Sequence, residues 1–155
     1  MSQTIIIKMG EMHIGHSPDI LETMGIGSCL VVVLYDPIAK IGGLAHAMLP
    51  TAPQGSPENI HKLLYVDTTI EALIHDLTNA GVALGNIIAK IIGGAHMFPL
   101  YREANNGIGA RNIEIAKLRL REKSIPLSGE ETGGTVGRNV RFNLSTGICD
   151  IETKM

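Results

Sequence analysis

Between Cys29 and Asp36 the chain reads Leu30-Val31-Val32-Val33-Leu34-Tyr35, an apolar run without a charged interruption. A strand with one wet face alternates apolar and polar residues, so this unbroken run predicts a strand that is covered on both faces. Asp36-Pro37 ends the run, and residues 41–49 form the next predicted strand. Because the connection is short, we expect the two strands to pair as an antiparallel hairpin.

Strands are predicted at both ends of the chain, with two helices between them. The helices are expected at residues 66–80, where Thr68 and Glu71 match a capping box, and at residues 108–123. Residues 10–18 are expected to form a loop. The remaining strands are predicted at residues 3–9, 19–23, 87–92, 125–128, 138–144 and 148–153.

This order of elements differs from the regular strand–helix alternation of a doubly wound sheet. With roughly six to eight strands it favours an α+β fold, a layered sandwich in which two main helices pack on mostly antiparallel sheets. At 155 residues we expect a single domain over residues 1–155.

The composition limits the function classes. The net charge is −2 and aromatic residues make up only 3%, so the sequence offers neither the field nor the stacking platform of a nucleic-acid-binding protein. No segment reaches the ~18 apolar residues that a membrane-spanning helix needs, so we expect no membrane insertion. With two cysteines and no visible signal peptide, a cytoplasmic location with reduced thiols is expected.

The apolar run is preceded by a candidate nucleophile. Gly25, Gly27 and Ser28 come just before Cys29, and small residues let backbone N–H groups converge on one point. A thiol beside such a group can attack a carbonyl while the N–H groups hold the oxyanion. Two alternatives stay open: Cys29 as a small buried hydrophobe, and Ser28 as the nucleophile, although a thiol is the better nucleophile near neutral pH.

Histidines supply the candidate base. His46 follows a glycine pair on the strand predicted to pair with the one after Cys29, so a Cys–His acyl-transfer site is our working hypothesis. His96 follows a second glycine pair and is the rival. His13 and His16 have the spacing of metal ligands but no recognisable third partner, so we predict no metal, and no glycine motif predicts a nucleotide site.

Together these segments resemble the CheD family of chemoreceptor glutamine deamidases, from about residue 10 to residue 150. The residues that carry the resemblance are Thr23, Gly25-Ile26-Gly27-Ser28-Cys29, Gly42-Gly43, His46, Met48-Leu49-Pro50, Gly93-Gly94-Ala95, Ile108-Gly109-Ala110-Arg111-Asn112, Gly133-Gly134, Gly137-Arg138, Val140 and Phe142. Ile26 stands where the family commonly has leucine.

The resemblance implies roles for these residues and a fold. Cys29 would be the nucleophile, His46 the general base and acid, and Thr23 the residue that orients the histidine. Gly27 and Ser28 would contribute to the oxyanion site, and no cofactor is implied. The fold implied is an α/β/β sandwich.

The activity implied is hydrolysis of glutamine side chains to glutamate on the cytoplasmic helices of chemoreceptors (methyl-accepting chemotaxis proteins), through a thioester. Glutamyl methyl esters present the same carbonyl and are an expected second substrate. A CheC-type phosphatase is an expected partner. The alternative is a non-catalytic adaptor that binds the receptor or the phosphatase. If Cys29 is activated, we expect it to titrate below the ~8.5 of an ordinary thiol.

Overall fold

The computed structural model describes residues 2–97 and 107–154, which form two β-sheets and two α-helices. The helices are α1 (Val66–Asn79) and α2 (Ile108–Glu122). The strands are β1 (Thr4–Ile6), β2 (Met12–His16), β3 (Ile20–Ile26), β4 (Leu30–Asp36), β5 (Ile41–Ala47), β6 (Ile88–Gly93), β7 (Leu127–Thr132), β8 (Gly137–Asn143) and β9 (Ile148–Lys154).

The strand after Cys29, β4, lies at the centre of a five-stranded sheet with the order β2-β5-β4-β6-β7. Its two neighbours, β5 and β6, are both antiparallel to it, which confirms the predicted hairpin. All seven residues of β4 are buried, as the unbroken apolar run predicted. Leu30 and Val32 pack toward the helices, whereas Val31 and Val33 pack toward the other sheet.

The other sheet has four strands in the order β1-β3-β8-β9. It packs on the five-stranded sheet through an apolar layer that includes Leu21, Val140 and Phe142. The pairing of β3 with β8 is regular from Ile20 to Thr23 and then shifts before Ile26. This irregularity turns the chain from the four-stranded sheet into the loop that carries Cys29.

Both helices cover the free face of the five-stranded sheet. Each buries one stripe at helical spacing: Val66, Ile70, Leu73 and Leu77 in α1, and Gly109, Asn112, Ala116 and Leu120 in α2. The order of layers is therefore helices, five-stranded sheet, four-stranded sheet. The predicted α+β class is confirmed, with two main helices on a sandwich in which most strand pairings described are antiparallel.

Two local predictions are wrong. Residues 10–18 contain the edge strand β2, which pairs with β5; His13 and His16 gave it a polar, loop-like composition, yet Gly15 and Ile14 lie against β5. The capping box is also absent, because Tyr65 is the N-cap of α1 and makes no side-chain cap. The Thr68 hydroxyl instead donates to the carbonyls of Lys62 and Tyr65.

Candidate active site

Thr23 and His46 meet between the two sheets. Thr23 lies on the inner face of β3 in the four-stranded sheet, and His46 lies on β5 in the five-stranded sheet. The Thr23 Oγ1 atom is 2.8 Å from His46 Nδ1, and the two residues are 0% and 3% exposed. Side chains alternate between the two faces of each strand, and both Thr23 and His46 occupy inward-facing positions. Their hydrogen bond therefore links the two sheets.

Burial sets the charge state of His46. Removal of the ring from water lowers its pKa, so the imidazole is neutral at neutral pH. With Nδ1 occupied by Thr23, the other ring nitrogen, Nε2, has no hydrogen-bond partner among residues 2–97 and 107–154. In the tautomer in which Nδ1 donates to Thr23, Nε2 has a free lone pair that can accept a proton.

Cys29 precedes the first residue of β4 and is half-buried. Val31 is directly opposite His46 in the β4–β5 register. Cys29 is two residues before Val31 and packs with the same layer between the sheets. The observed register ends at Leu30 and Ala47, so Cys29 lies one residue beyond the paired strands, on the side of the sheet that Val31 and His46 share.

The thiol is not hydrogen-bonded to His46 in the described residues. Instead Cys29 Sγ contacts Met9 Sδ at 3.7 Å. The turn that carries Met9 is fixed to β5, because Gly10 N–H donates to the His46 carbonyl at 2.8 Å and His46 N–H donates to the Glu11 carbonyl at 3.1 Å. Met9, which is 52% exposed, thus lies over the thiol as a flexible apolar cover.

Burial raises the pKa of the Cys29 thiol, and its own backbone N–H opposes this shift. The free protein therefore lacks the lowered thiol pKa that is expected of an activated Cys29. The physical reason is desolvation without a neighbouring cation, since the histidine beside it is neutral. A neutral thiol and a neutral imidazole form the resting pair, and the thiol needs a base to become a nucleophile.

Three successive carbonyls of the cysteine loop are held by hydrogen bonds. The Gly27 carbonyl accepts from Ala95 N–H at 2.9 Å, and the Cys29 carbonyl accepts from Gly94 N–H at 2.8 Å. The Ser28 carbonyl accepts from the Asn112 side-chain amide at 2.9 Å. Within the described parts of the chain, the N–H groups of Ser28 and Cys29 donate to no backbone carbonyl, and the Cys29 N–H is directed at its own thiol.

The other candidates take different positions. His96 is half-buried in the loop after β6, and its backbone N–H donates to the Gly134 carbonyl at 2.8 Å. His13 and His16 lie on β2, and residues 2–97 and 107–154 contain no group of three or more metal-ligating side chains. Cys149 is half-buried in β9, and burial raises its pKa to about 11.

The sequence analysis assigned no role to two residues at this site, Met9 and Asn112. Met9 has no signal in the sequence, since only the turn between β1 and β2 brings it to the thiol. Asn112 does have a signal in the sequence, because it is a polar residue on the face of a predicted amphipathic helix that is otherwise without polar side chains. In the structure it is fully buried. A buried amide usually serves a hydrogen bond, which here reaches the cysteine loop.

No helix among the described residues is long and apolar enough to cross a membrane.

The family model for CheD chemotactic sensory transduction matches residues 48–153 of this chain. A protein of Geobacter metallireducens named "Probable chemoreceptor glutamine deamidase CheD 2" is 40% identical over 154 residues, which cover 98% of this chain and 94% of that protein. The "Chemoreceptor glutamine deamidase CheD" of Halalkalibacterium halodurans is 37% identical over 156 residues, 99% of this chain and 95% of that protein.

A solved structure, the hypothetical protein YfiH of Bacillus licheniformis, is similar over 75% of this chain and 46% of its own, with a TM-score of 0.41 and 17% identity. That likeness is too slight to inform the function. The two relatives above, by contrast, are aligned over nearly the whole chain. With the family match over residues 48–153, they establish that this chain belongs to the CheD family.

Proposed function

We propose that this chain hydrolyses the side-chain amide of glutamine residues on the cytoplasmic helices of chemoreceptors, and so acts in the cytoplasm in chemotactic adaptation. Two relatives of nearly full length are named as chemoreceptor glutamine deamidases, which supports the reaction and the substrate class. The roles assigned are Cys29 as nucleophile, His46 as general base and acid, and Thr23 as the residue that orients His46.

One observation carries this proposal: the hydrogen bond of 2.8 Å between Thr23 Oγ1 and His46 Nδ1. A buried histidine that serves only packing needs partners for both nitrogens, and His46 has one for Nδ1 alone among the described residues. The unpartnered Nε2 belongs to a ring on the same face as the Cys29 thiol. This is the arrangement expected of a base that is oriented by a third residue.

The reaction then follows in two halves. His46 Nε2 takes the thiol proton while Cys29 Sγ bonds to the amide carbon of the substrate, and the N–H groups at Ser28 and Cys29 hold the oxyanion. The imidazolium returns that proton to the nitrogen, the C–N bond breaks, and ammonia leaves a thioester. Water attacks the thioester with His46 again as base, the C–S bond breaks, and glutamate and the free thiol are regenerated.

The resting geometry is that of a site before substrate arrives. The thiol contacts Met9 rather than His46, and catalytic hydrogen bonds are often loose in free enzymes. A substrate that displaces the Met9 side chain would let the thiol turn toward Nε2. A glutamyl methyl ester would pass through the same thioester and release methanol instead of ammonia. A CheC-type phosphatase remains an expected partner on the grounds of family resemblance.

The test is ammonia release from a purified fragment of a chemoreceptor cytoplasmic domain. Cys29→Ala should abolish release, whereas Cys149→Ala, the matched control, should keep the wild-type rate because Cys149 packs in β9. Full activity of Cys29→Ala would contradict the proposal. If the wild type binds the fragment and releases no ammonia, the chain is an adaptor.

A further inference from the structure

Asn112 joins helix α2 to both strand ends that carry the candidate site. It is fully buried, and its Nδ2 atom donates to the Ser28 carbonyl at 2.9 Å and to the Met48 carbonyl at 3.1 Å. Ser28 immediately precedes Cys29, and Met48 follows His46 by two residues. One side-chain amide therefore ties together the start of β4 and the end of β5.

The hydrogen bond to Ser28 also fixes the direction of the next N–H group. The Ser28–Cys29 peptide is trans, because the one cis bond among the described residues is Ser17–Pro18. In a trans peptide the C=O and N–H bonds point in opposite directions. Asn112 holds the Ser28 carbonyl toward the helices, so the Cys29 N–H points the other way, into the layer where the thiol packs.

Two observations agree with this direction. The Cys29 carbonyl accepts a hydrogen bond from Gly94 N–H, but the reciprocal bond that a regular antiparallel pair would make, from Cys29 N–H to Gly94, is not made in the described chain. The Cys29 N–H instead lowers the pKa of its own thiol against the effect of burial, as an N–H directed at the sulfur does.

A purely structural role does not explain why an amide is buried at position 112. Asn112 Oδ1 is buried without a partner among residues 2–97 and 107–154. A buried acceptor without a partner lowers stability, so a residue needed only to fill the space under the loop would be better apolar. The two donor hydrogen bonds to the loop ends are what the amide adds.

We propose that Asn112 is a positioning residue for the reaction. Its amide holds the Ser28–Cys29 peptide so that the Cys29 N–H is preorganised as an oxyanion donor. The inference rests on the proposed function, because an oxyanion forms only if Cys29 attacks an amide or ester carbonyl.

The first test is steady-state kinetics of ammonia release by Asn112→Leu. A lost or misdirected oxyanion donor acts on the transition state, so kcat should fall on the order of 100-fold while KM changes less than about threefold. Thr69→Val is the matched control, since it removes another fully buried polar group, on α1, without touching the cysteine loop. Its kcat should stay within about twofold of wild type.

The second test needs no turnover. Iodoacetamide labelling of Cys29 is followed against pH by peptide mass spectrometry, with Cys149 as internal reference. In Asn112→Leu the midpoint for Cys29 should move to higher pH, because the thiolate loses its N–H, and the Cys149 profile should not move. Asn112→Ala, which removes the amide donors without adding a charge, should move it in the same direction if the leucine variant does not fold.

The outcomes separate the two proposals. If Asn112→Leu and Thr69→Val give the same kcat and the same Cys29 labelling profile, Asn112 only supports the fold and the inference is wrong. If the wild type itself releases no ammonia, the proposed function is wrong, and the labelling profile still decides whether Asn112 directs the Cys29 N–H.

Discussion

The two members of the proposed catalytic pair, Cys29 and His46, are both neutral in the free protein. Burial lowers the pKa of His46 and raises that of Cys29, so a thiolate–imidazolium pair is disfavoured in the free protein. In the tautomer in which Nδ1 donates to the Thr23 hydroxyl, Nε2 is the nitrogen that can take a proton. The nucleophile is therefore expected to form together with the attack on the substrate, which limits reaction of the thiol with other electrophiles.

The pH dependence of kcat/KM follows from these two shifts. His46 must be neutral to act as base, and its pKa is lowered, so the acid limb should have its midpoint below the ~6.5 of an ordinary histidine. The thiol proton is the one returned to ammonia, so activity should fall only above the ~8.5 of an ordinary thiol. Initial rates of ammonia release from pH 5 to 10 measure both limbs. An acid midpoint above that of free histidine would contradict the assignment of His46.

At the level of elements, the loops that follow β3 and β6 hold Cys29, the proposed nucleophile. Gly93, at the end of β6, has a φ of +114°, and a Cβ there would lie 2.4 Å from the Cys29 carbonyl oxygen. Gly109 brings α2 equally close, since its Cβ would lie 2.5 Å from the Ala95 carbonyl. Close backbone packing of this kind leaves the cysteine loop little freedom to shift.

Gly93→Ala tests this packing, with Gly133→Ala as its control. Gly133 also has a positive φ, +78°, but open space where the methyl group would go. The free energy of unfolding of Gly133→Ala should fall by only about 1–2 kcal/mol, which is the cost of a positive φ for a residue with a Cβ. The free energy of unfolding of Gly93→Ala should fall by a further ~1–3 kcal/mol because of the clash. Its rate of ammonia release should fall as well. Urea unfolding and kinetics measure the two effects. Equal losses in the two variants would mean that the Gly93 contact is unimportant.

The elements were largely predictable because their signals are local. The apolar run of β4 predicted its burial, and the amphipathic segments predicted helices α1 and α2 close to their observed bounds. The edge strand β2 was not predictable, since its pairing with β5 depends on a partner far along the chain. The position of Met9 beside Cys29 was not predictable either, because it also depends on a contact distant in sequence. At Thr68, contacts with the preceding turn replace the predicted capping box.

The contact between Thr23 and His46 could not be predicted from strand periodicity, for a different reason. The family resemblance named both residues, but only the stacking of two sheets brings them within 2.8 Å of each other. Strand periodicity assigns each residue to a face. It does not reveal which position of the facing sheet lies opposite, because that depends on how the two sheets are placed over one another.

Among the described residues, the layer between the sheets is mainly apolar, and Thr23 and His46 form a buried polar contact within it. Cys29 immediately precedes β4 and is half-buried, so its thiol is partly exposed to solvent, whereas Thr23 and His46 are buried. Met9 and Met97, which are 52% and 39% exposed, supply apolar surface beside the cysteine loop. The net charge of −2 offers little long-range steering, so substrate recognition is expected to depend on contacts at this rim.

If hydrolysis passes through a thioester on Cys29, a nucleophile stronger than water should intercept it. The receptor fragment is treated with enzyme in the presence of hydroxylamine, and the modified glutamine positions are read by mass spectrometry. We expect glutamyl hydroxamate at the sites that otherwise become glutamate, and none with Cys29→Ala. Conversion to glutamate alone, at an unchanged rate and without hydroxamate at any hydroxylamine concentration, would rule out the thioester.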